Sequence, residues 1–411
     1  MRQSGLNQLA HLPARGTQIP VMIAVPLPRQ DGAWRLLAFA EARECGRDGA
    51  QTCDPGLAPD GAPKGLAFRY SDWAPNATAT AGWTPALGTA PMMLYRDGNG
   101  SCCLNLGAAV YDAVKGVVHL HFVVGLHSKS GEQVLLSSRD YGLTWEKSQT
   151  YGAQLETAGL YEDGAPAFAP GPGLGVQLMA PTKARHRMLV CGQGNRRMSS
   201  VCIASDDHAA TWVSAGAAAI DDISMLPSEA TLVELRNGSV LMNTRNSCHR
   251  LPAPHTCCWG DGCFDKQGVP HCHGPKTCDH THDNKHARLL MWSDDGGETF
   301  GTPKWCSSLP DPDCEGSMVS DVDSGDLLFA NNRNGTIGNR DNMTVYRAVS
   351  DGSCSDWSLL HRVNSGPAGY SCLASMPGRR LGILYEHAWS TEAVAANDRD
   401  RTNIVFELLQ T

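Results

Sequence analysis

The sequence predicts an all-β fold, a β-propeller of six blades with one turn repeated from blade to blade. Three observations carry that prediction. First, a nine-residue pattern recurs: "SSRDYGLTW" (137–145), "ASDDHAATW" (204–212) and "WSDDGGETF" (292–300) share most of a Ser-x-Asp-x-Gly-x-Thr-Trp skeleton. A catalytic site is built once, so repetition argues for architecture. Second, the 43 glycines and 24 prolines, with only 18% charged residues, suit many short strands joined by tight turns better than long helices. Third, short β runs follow one another along the chain with little helical periodicity.

These runs are "PVMIAVP" (20–26), "RLLAFAEAR" (35–43), "GVVHLHFVV" (116–124), "RMLVCG" (187–192), "ATLVELRNGSVLMNTRN" (230–246), "DLLFANN" (326–332), "NMTVYRAVS" (342–350) and "LGILYEHA" (381–388). Their β-branched and aromatic residues favour a pleated, half-buried surface. In 230–246 the Asn237-Gly238 dipeptide between two apolar runs predicts a hairpin. The serines of the repeat lie 67 residues apart (138 to 205) and then 88 apart (205 to 293), and "VSDGSCSDW" (349–357) reads as a decayed fourth copy. A unit of about 60 to 70 residues with four strands matches one propeller blade, which gives roughly six blades in this chain. Residues 1–411 are therefore read as one domain, with a Cys/His-rich insertion at about 248–286.

Composition narrows the function. A net charge of −8 argues against a nucleic-acid partner. No stretch approaches 18 apolar residues, so no membrane span is expected, and "MRQSGLNQLAHLPARG" lacks the apolar core of a signal peptide. Sixteen cysteines, an even number, and Asn-x-Ser/Thr sequons at Asn76, Asn99, Asn237, Asn334 and Asn342 predict an oxidising compartment, with glycosylation available there. The expected location is the secretory pathway, lysosomal or extracellular.

The repeated turn resembles the Asp box of sialidases (neuraminidases), and single-copy motifs extend the resemblance along nearly the whole chain. They are "LLAFAEAR" (36–43), "NLGAAVYDAVKGVVHLHF" (105–122), "FAPGPGLGVQL" (168–178), "GSVLMNTRN" (238–246), "NRDNMTVYR" (339–347) and "SGPAGYSCLASMPGRRLGILYEHA" (365–388), and they are most similar to the animal lysosomal branch. The resemblance implies a glycoside hydrolase, a retaining exo-α-sialidase acting on sialylated glycans. It aligns Tyr370 with the nucleophile and Glu229 with the carboxylate that activates it. A sialoside carries a carboxylate on its anomeric carbon, so an anionic nucleophile would meet like charge, whereas a neutral phenol deprotonated during attack avoids it.

The same resemblance implies an arginine clamp on the substrate carboxylate, since guanidinium can bind a carboxylate through two parallel hydrogen bonds. Arg245 and Arg340 match its second and third members, Arg43 is a further substrate-binding candidate, and Glu386 matches the carboxylate that orients the first arginine. That first position holds Gln18, in "TQIP". In a regular strand Arg15 would face the other way from residue 18, so a clamp of two arginines is expected. The general acid is assigned to Asp60, with Asp48 and Asp54 as competitors, in a loop where Cys45 and Cys53 are read as a pair.

The insertion holds six cysteines and seven histidines. Zinc is one reading, but no Cys-x2-Cys pair is present, so disulfides are favoured and neither a metal nor a cofactor is expected. Two other functions stay open: a sialoglycan-binding propeller without turnover, and a trans-sialidase.

Overall fold

A computed structural model describes residues 7–8, 17–28, 32–43, 64–74, 82–96, 104–124, 132–157, 159–162, 165–166, 168–194, 200–218, 225–247, 287–334, 340–388 and 402–411. They form an all-β, propeller-like arrangement whose helical content is one turn at Gly152–Thr157 and a 3-10 turn at Cys354–Asp356. The eight β runs read from the sequence all fall within observed strands, offset by a few residues at their ends.

The first sheet holds Thr17–Pro26, Trp34–Arg43, Lys64–Trp73 and Met92–Arg96 in chain order. A second, built on Leu104–Asp112, Val117–Val124, Glu132–Ser138 and Glu146–Thr150, adds Gly173–Leu174 at its inner edge. The third runs Phe168–Pro170, Met188–Gly194, Ser200–Ser205, Val213–Ala217, and the fourth Pro227–Glu234, Val240–Asn246, Ala287–Ser293, Lys304–Pro310. The last has seven strands: Ser317–Ser320, Leu327–Asn332, Asp341–Ala348, Ser358–Met376, Arg380–Ala388, Thr402–Gln410 and the two-residue Asn7–Gln8.

Six separate blades were expected, and five large sheets are found. The difference lies in Ser358–Met376, 19 residues long, which pairs with Asp341–Ala348 through its first half and with Arg380–Ala388 through its second. A sequence reading that looks for turns has nothing to mark a boundary inside a continuous strand. Apolar clusters fill the spaces between successive sheets. One joins the first and second through Phe39, Phe68, Leu120 and Phe122, and another joins the first to the last through Trp73, Met22, Cys372 and Phe406. A further cluster lies within the seven-stranded sheet, where Leu328 and Val345 from one half pack with Leu373 and Ile383 from the other. Leu174 touches three of these clusters, which places the "APGPGLG" segment at the hub.

The hairpin at Asn237-Gly238 forms, with Leu235 N donating to Ser239 O and Gly238 at φ 86°. Three residues thus turn the chain, rather than the two of the tightest Asn-Gly turns. The repeated turns share one hydrogen-bond network. Ser138 Oγ donates to Asp140 Oδ1 and accepts from Gly142 N, while Thr144 gives its amide to Oδ1 and its hydroxyl to Oδ2 of the same Asp, at 2.6 to 2.8 Å. The corresponding bonds around Asp207 and Asp295 span 2.6 to 3.0 Å. Each turn leans on the preceding sheet: a Cβ on Gly142, at φ 90°, would sit 2.4 Å from Leu37 Cδ2.

Two disulfides lie among the described residues, Cys191–Cys202 across neighbouring strands and Cys306–Cys354 between the fourth and fifth sheets. Cys314 and Cys372 are free and buried. The proposed Cys45–Cys53 pair, the acid candidates Asp48, Asp54 and Asp60, sequons Asn76 and Asn99, and the whole 248–286 insertion lie outside the described residues. No helix among the described residues is long and apolar enough to cross a membrane.

Candidate active site

The chain places four of its sequence-assigned residues together through irregularities at strand ends. Pairing in the fourth sheet shifts register between Pro227 and Ala230, and the shift contains Glu229. Pairing of Ser358–Met376 with Arg380–Ala388 shifts between Ala368 and Ser371, and that shift contains Tyr370. A third shift, between Asp341 and Met343, begins next to Arg340. An extra residue in a strand re-aims the side chains beside it, which is how these strands can present polar groups to one point.

At that point Tyr370 Oη donates to Glu229 Oε1 at 2.5 Å. Arg245, on the neighbouring strand, gives NH1 to Glu229 Oε2 at 2.6 Å and to Tyr370 Oη at 3.1 Å. Its Nε donates to Asp313 Oδ1 at 2.5 Å. Its NH2 is buried and has no hydrogen-bond partner. Arg340 lies over the Tyr370 ring, 5.5 Å from the centroid, and donates from NH2 to the Asp313 carbonyl at 3.0 Å.

The electrostatics fix the resting protonation. Burial, then the Glu229 charge, holds the Tyr370 phenol well above its ordinary value, while Arg245 and Arg340 work in the opposite direction. Tyr370 is therefore neutral at rest and donates to Glu229. Burial alone would lower the Arg245 pKa, but the Glu229 and Asp313 carboxylates outweigh it and keep the guanidinium charged. Burial would lower Arg340 too, but it is likewise raised, with Glu386 among the groups that favour its charge. A charged, buried NH2 with no partner beside a base-coupled phenol is a place for an anionic group next to an electrophile.

Glu386 is buried, and its oxygens accept from Ile19 N at 2.9 Å and Tyr370 N at 3.3 Å. It thus ties the strand carrying Gln18 to the strand carrying Tyr370. Gly369 permits that approach, because a Cβ there would come within 2.1 Å of Glu386 Oε2. Gln18 pairs with Glu41, and Arg43 with Lys64, in the first sheet; the side chains of Gln18 and Arg43 lie outside the description. The expectation for Arg15 falls outside the described residues. Beyond Gln18 the pairing is irregular: register shifts between Gln18 and Val21, with Ile19 at φ 52°.

Sequence reading missed the turn 311–315, "DPDCE", between the fourth and fifth sheets. Asp311 Oδ1 accepts from the amides of Asp313 and Cys314, and its Oδ2 from Asn246 N and Arg288 NH1. Burial pushes the Cys314 thiol up to about 12. Glu315 accepts from Ser371 N at 2.9 Å, and its other oxygen is buried without a partner. Burial, opposed by the Ser371 amide and reinforced by the Glu229 charge, holds Glu315 well above the usual carboxylate range. The available signal was three acidic residues and a thiol packed into five positions between two strands. Glu41 was also passed over: it is fully buried and accepts from Leu106 N at 2.9 Å, joining the "FAEAR" and "NLGA" motifs. Among the described residues no group of three or more His, Cys, Asp or Glu side chains could hold a metal ion.

No family model matches the chain. A sialidase of Micromonospora viridifaciens is 26% identical over 263 residues, which cover 61% of this chain and 33% of that protein, so the match spans about a third of the relative's length. Among solved structures, the Hadza microbial sialidase Hz136 superposes with a TM-score of 0.60 at 17% identity, covering 96% of this chain and 66% of its own. The intramolecular trans-sialidase from Ruminococcus gnavus gives 0.61 at 13% identity, covering 99% and 96%. In sequence over part of its length, and in fold over nearly all of it, the chain is similar to sialidases.

Proposed function

We propose that this protein is a retaining exo-α-sialidase that removes terminal sialic acid, or a related nonulosonic acid such as the deaminated form, from glycoconjugates. One observation carries the reading: a neutral Tyr370 hydrogen-bonded to Glu229 at 2.5 Å, beside a charged Arg245 whose buried NH2 has no partner. Glu229 accepts the phenolic proton as Tyr370 oxygen attacks the anomeric carbon. The bond to the aglycone oxygen breaks, and that oxygen takes a proton from the general acid, for which Asp60 stays our assignment. The ionised Asp60 then takes a proton from water as the water oxygen attacks the anomeric carbon, the bond to Tyr370 breaks, Glu229 returns the proton to the phenolic oxygen, and the configuration is retained. Arg245 and Arg340 hold the substrate carboxylate as a two-arginine clamp, with Gln18 and Arg43 as neighbours on the first sheet. The three aspartate turns are read as Asp boxes, structural rather than catalytic. Cys191–Cys202 and Cys306–Cys354 support an oxidising, secretory setting.

The test compares fluorogenic sialosides of N-acetylneuraminic acid and its deaminated analogue with wild type and Tyr370→Phe. The Phe variant should lose at least about two to three orders of magnitude in kcat with an unchanged melting temperature. A 3-fluorosialosyl fluoride should label Tyr370, as read by mass spectrometry. Labelling elsewhere, or near-normal turnover by the Phe variant, removes the assignment. Binding without turnover would identify a lectin, and an anhydro or transferred product in place of free acid would identify a trans-sialidase.

A further inference from the structure

We infer that Asp313 is the positioning residue of the site: its carboxylate fixes Arg245 and its carbonyl fixes Arg340, so a single turn sets the relative placement of the two guanidiniums. The inference rests on the reading of those arginines as a carboxylate clamp. Asp313 lies outside the strands, is 7% exposed, and adopts φ 63°, a left-handed conformation that a non-glycine residue holds only when its surroundings impose it. Here Asp311 imposes it, through Oδ1 and the amides of Asp313 and Cys314.

The result is a divided guanidinium. Arg245 gives Nε to Asp313 Oδ1 and NH1 to Glu229 and Tyr370, which leaves NH2 as the nitrogen with no protein partner and so the one available to a carboxylate. Without the Asp313 carboxylate, Nε and NH2 could swing together and the aim of NH2 would be lost. The carbonyl of the same residue takes Arg340 NH2 at 3.0 Å. The charge of Asp313 itself opposes a bound anion. Its contribution is therefore orientation, and that sets it apart from a simple electrostatic partner.

Three variants separate these effects. Asp313→Gly suits a positive φ, keeps the turn and removes the carboxylate. Asp313→Asn keeps an acceptor for Nε and removes the charge. Asp313→Val removes the carboxylate and strains the turn, because a β-branched residue disfavours positive φ. Asp313→Gly should raise KM for a fluorogenic sialoside by about ten- to a hundredfold, more than it lowers kcat, as for one lost charge-assisted bond. Asp313→Asn should recover most of that rise, and Asp313→Val should exceed it. If Asp313→Gly and Asp313→Asn both lower KM, charge repulsion is the dominant effect and the inference is wrong. Crystal structures of unliganded wild type and Asp313→Gly decide the question even if no sialoside is turned over. The Arg245 guanidinium should move in the Gly variant while Arg340 stays, and an Arg245 held within about 0.5 Å of its wild-type place overturns the inference.

Discussion

The aspartate turns and the Tyr370 site are both built from carboxylates and hydroxyls, and they handle charge in opposite ways. Asp140, Asp207 and Asp295 have their carboxyls held below the usual range; burial pushes them up, but hydrogen bonds from Thr and Ser hydroxyls and from backbone amides win. At the site burial wins, and Tyr370 and Glu315 are held well above their ordinary values. The turns satisfy each acceptor locally and recur, so any one of them is a fraction of the whole. The site occurs once and leaves Arg245 NH2 and one Glu315 oxygen without partners. Cohesion comes from saturated, repeated networks, and chemistry needs an unsaturated, single one.

The largest effect that sharpens this contrast is expected from Glu229→Gln. Loss of the proposed base should lower kcat by about 10² to 10⁴ with little change in melting temperature. Equal losses of activity and of stability would mean that the site is part of the scaffold.

Gly142→Ala should do the reverse. Its methyl meets Leu37 and its φ is positive, so about 1 to 3 kcal/mol of stability should go, read by denaturant unfolding, while KM stays unchanged. Asp295→Ala should cost a similar amount through its lost bonds to Ser293 and Thr299.

Acidity distinguishes the regions again. The turn aspartates have depressed folded-state values, so their stabilisation is present above the unfolded value near 4 and is lost as pH falls through the folded ones. Glu315 has the opposite sign. The unfolded chain releases its proton first, so its presence costs stability as pH rises above about 4.3 toward the raised folded value. Glu315→Gln should therefore melt higher than wild type at pH 8, with the gap closing toward pH 4. A gap independent of pH would mean that Glu315 is not held protonated.

The smallest effect is expected at Ala209, which occupies the glycine position of the second turn at φ 66°. Ala209→Gly relieves that conformation but loses a buried methyl and loosens the unfolded chain, terms of about 1 kcal/mol that oppose each other. Stability within about 0.5 kcal/mol of wild type is the expected result.

How much of this was legible follows the same division. Strands announce themselves through β-branched runs, and the turns through a skeleton repeated three times. Tyr370, Arg245 and Arg340 could be picked out because their motifs are single-copy and ordered along the chain, and Glu229 by its place nine residues before Gly238. The register shifts at Glu229, Tyr370 and Ile19 could not, since an extra residue in a strand leaves no mark in composition or periodicity. Asp313 and Glu315 were passed over because an acidic turn between strands ordinarily reads as a solvated link. Only the fold shows that this one runs beneath the site.

The fourth turn carries a consequence of its own. In "SDGSCSDW" the carboxylate has moved to the far end, and Asp356 accepts from both the amide and the hydroxyl of Ser350, while Trp357 Nε1 still donates to Gly352 O. This is also the turn whose Cys354 is bonded to Cys306, closing a separation of 48 residues. Robustness to mutation is therefore uneven around the molecule. At three turns an altered Ser, Asp or Thr breaks the network that holds that turn in shape. At the fourth a covalent bond spans the seam, and drift in the surrounding letters is tolerated for as long as the environment keeps that bond oxidised.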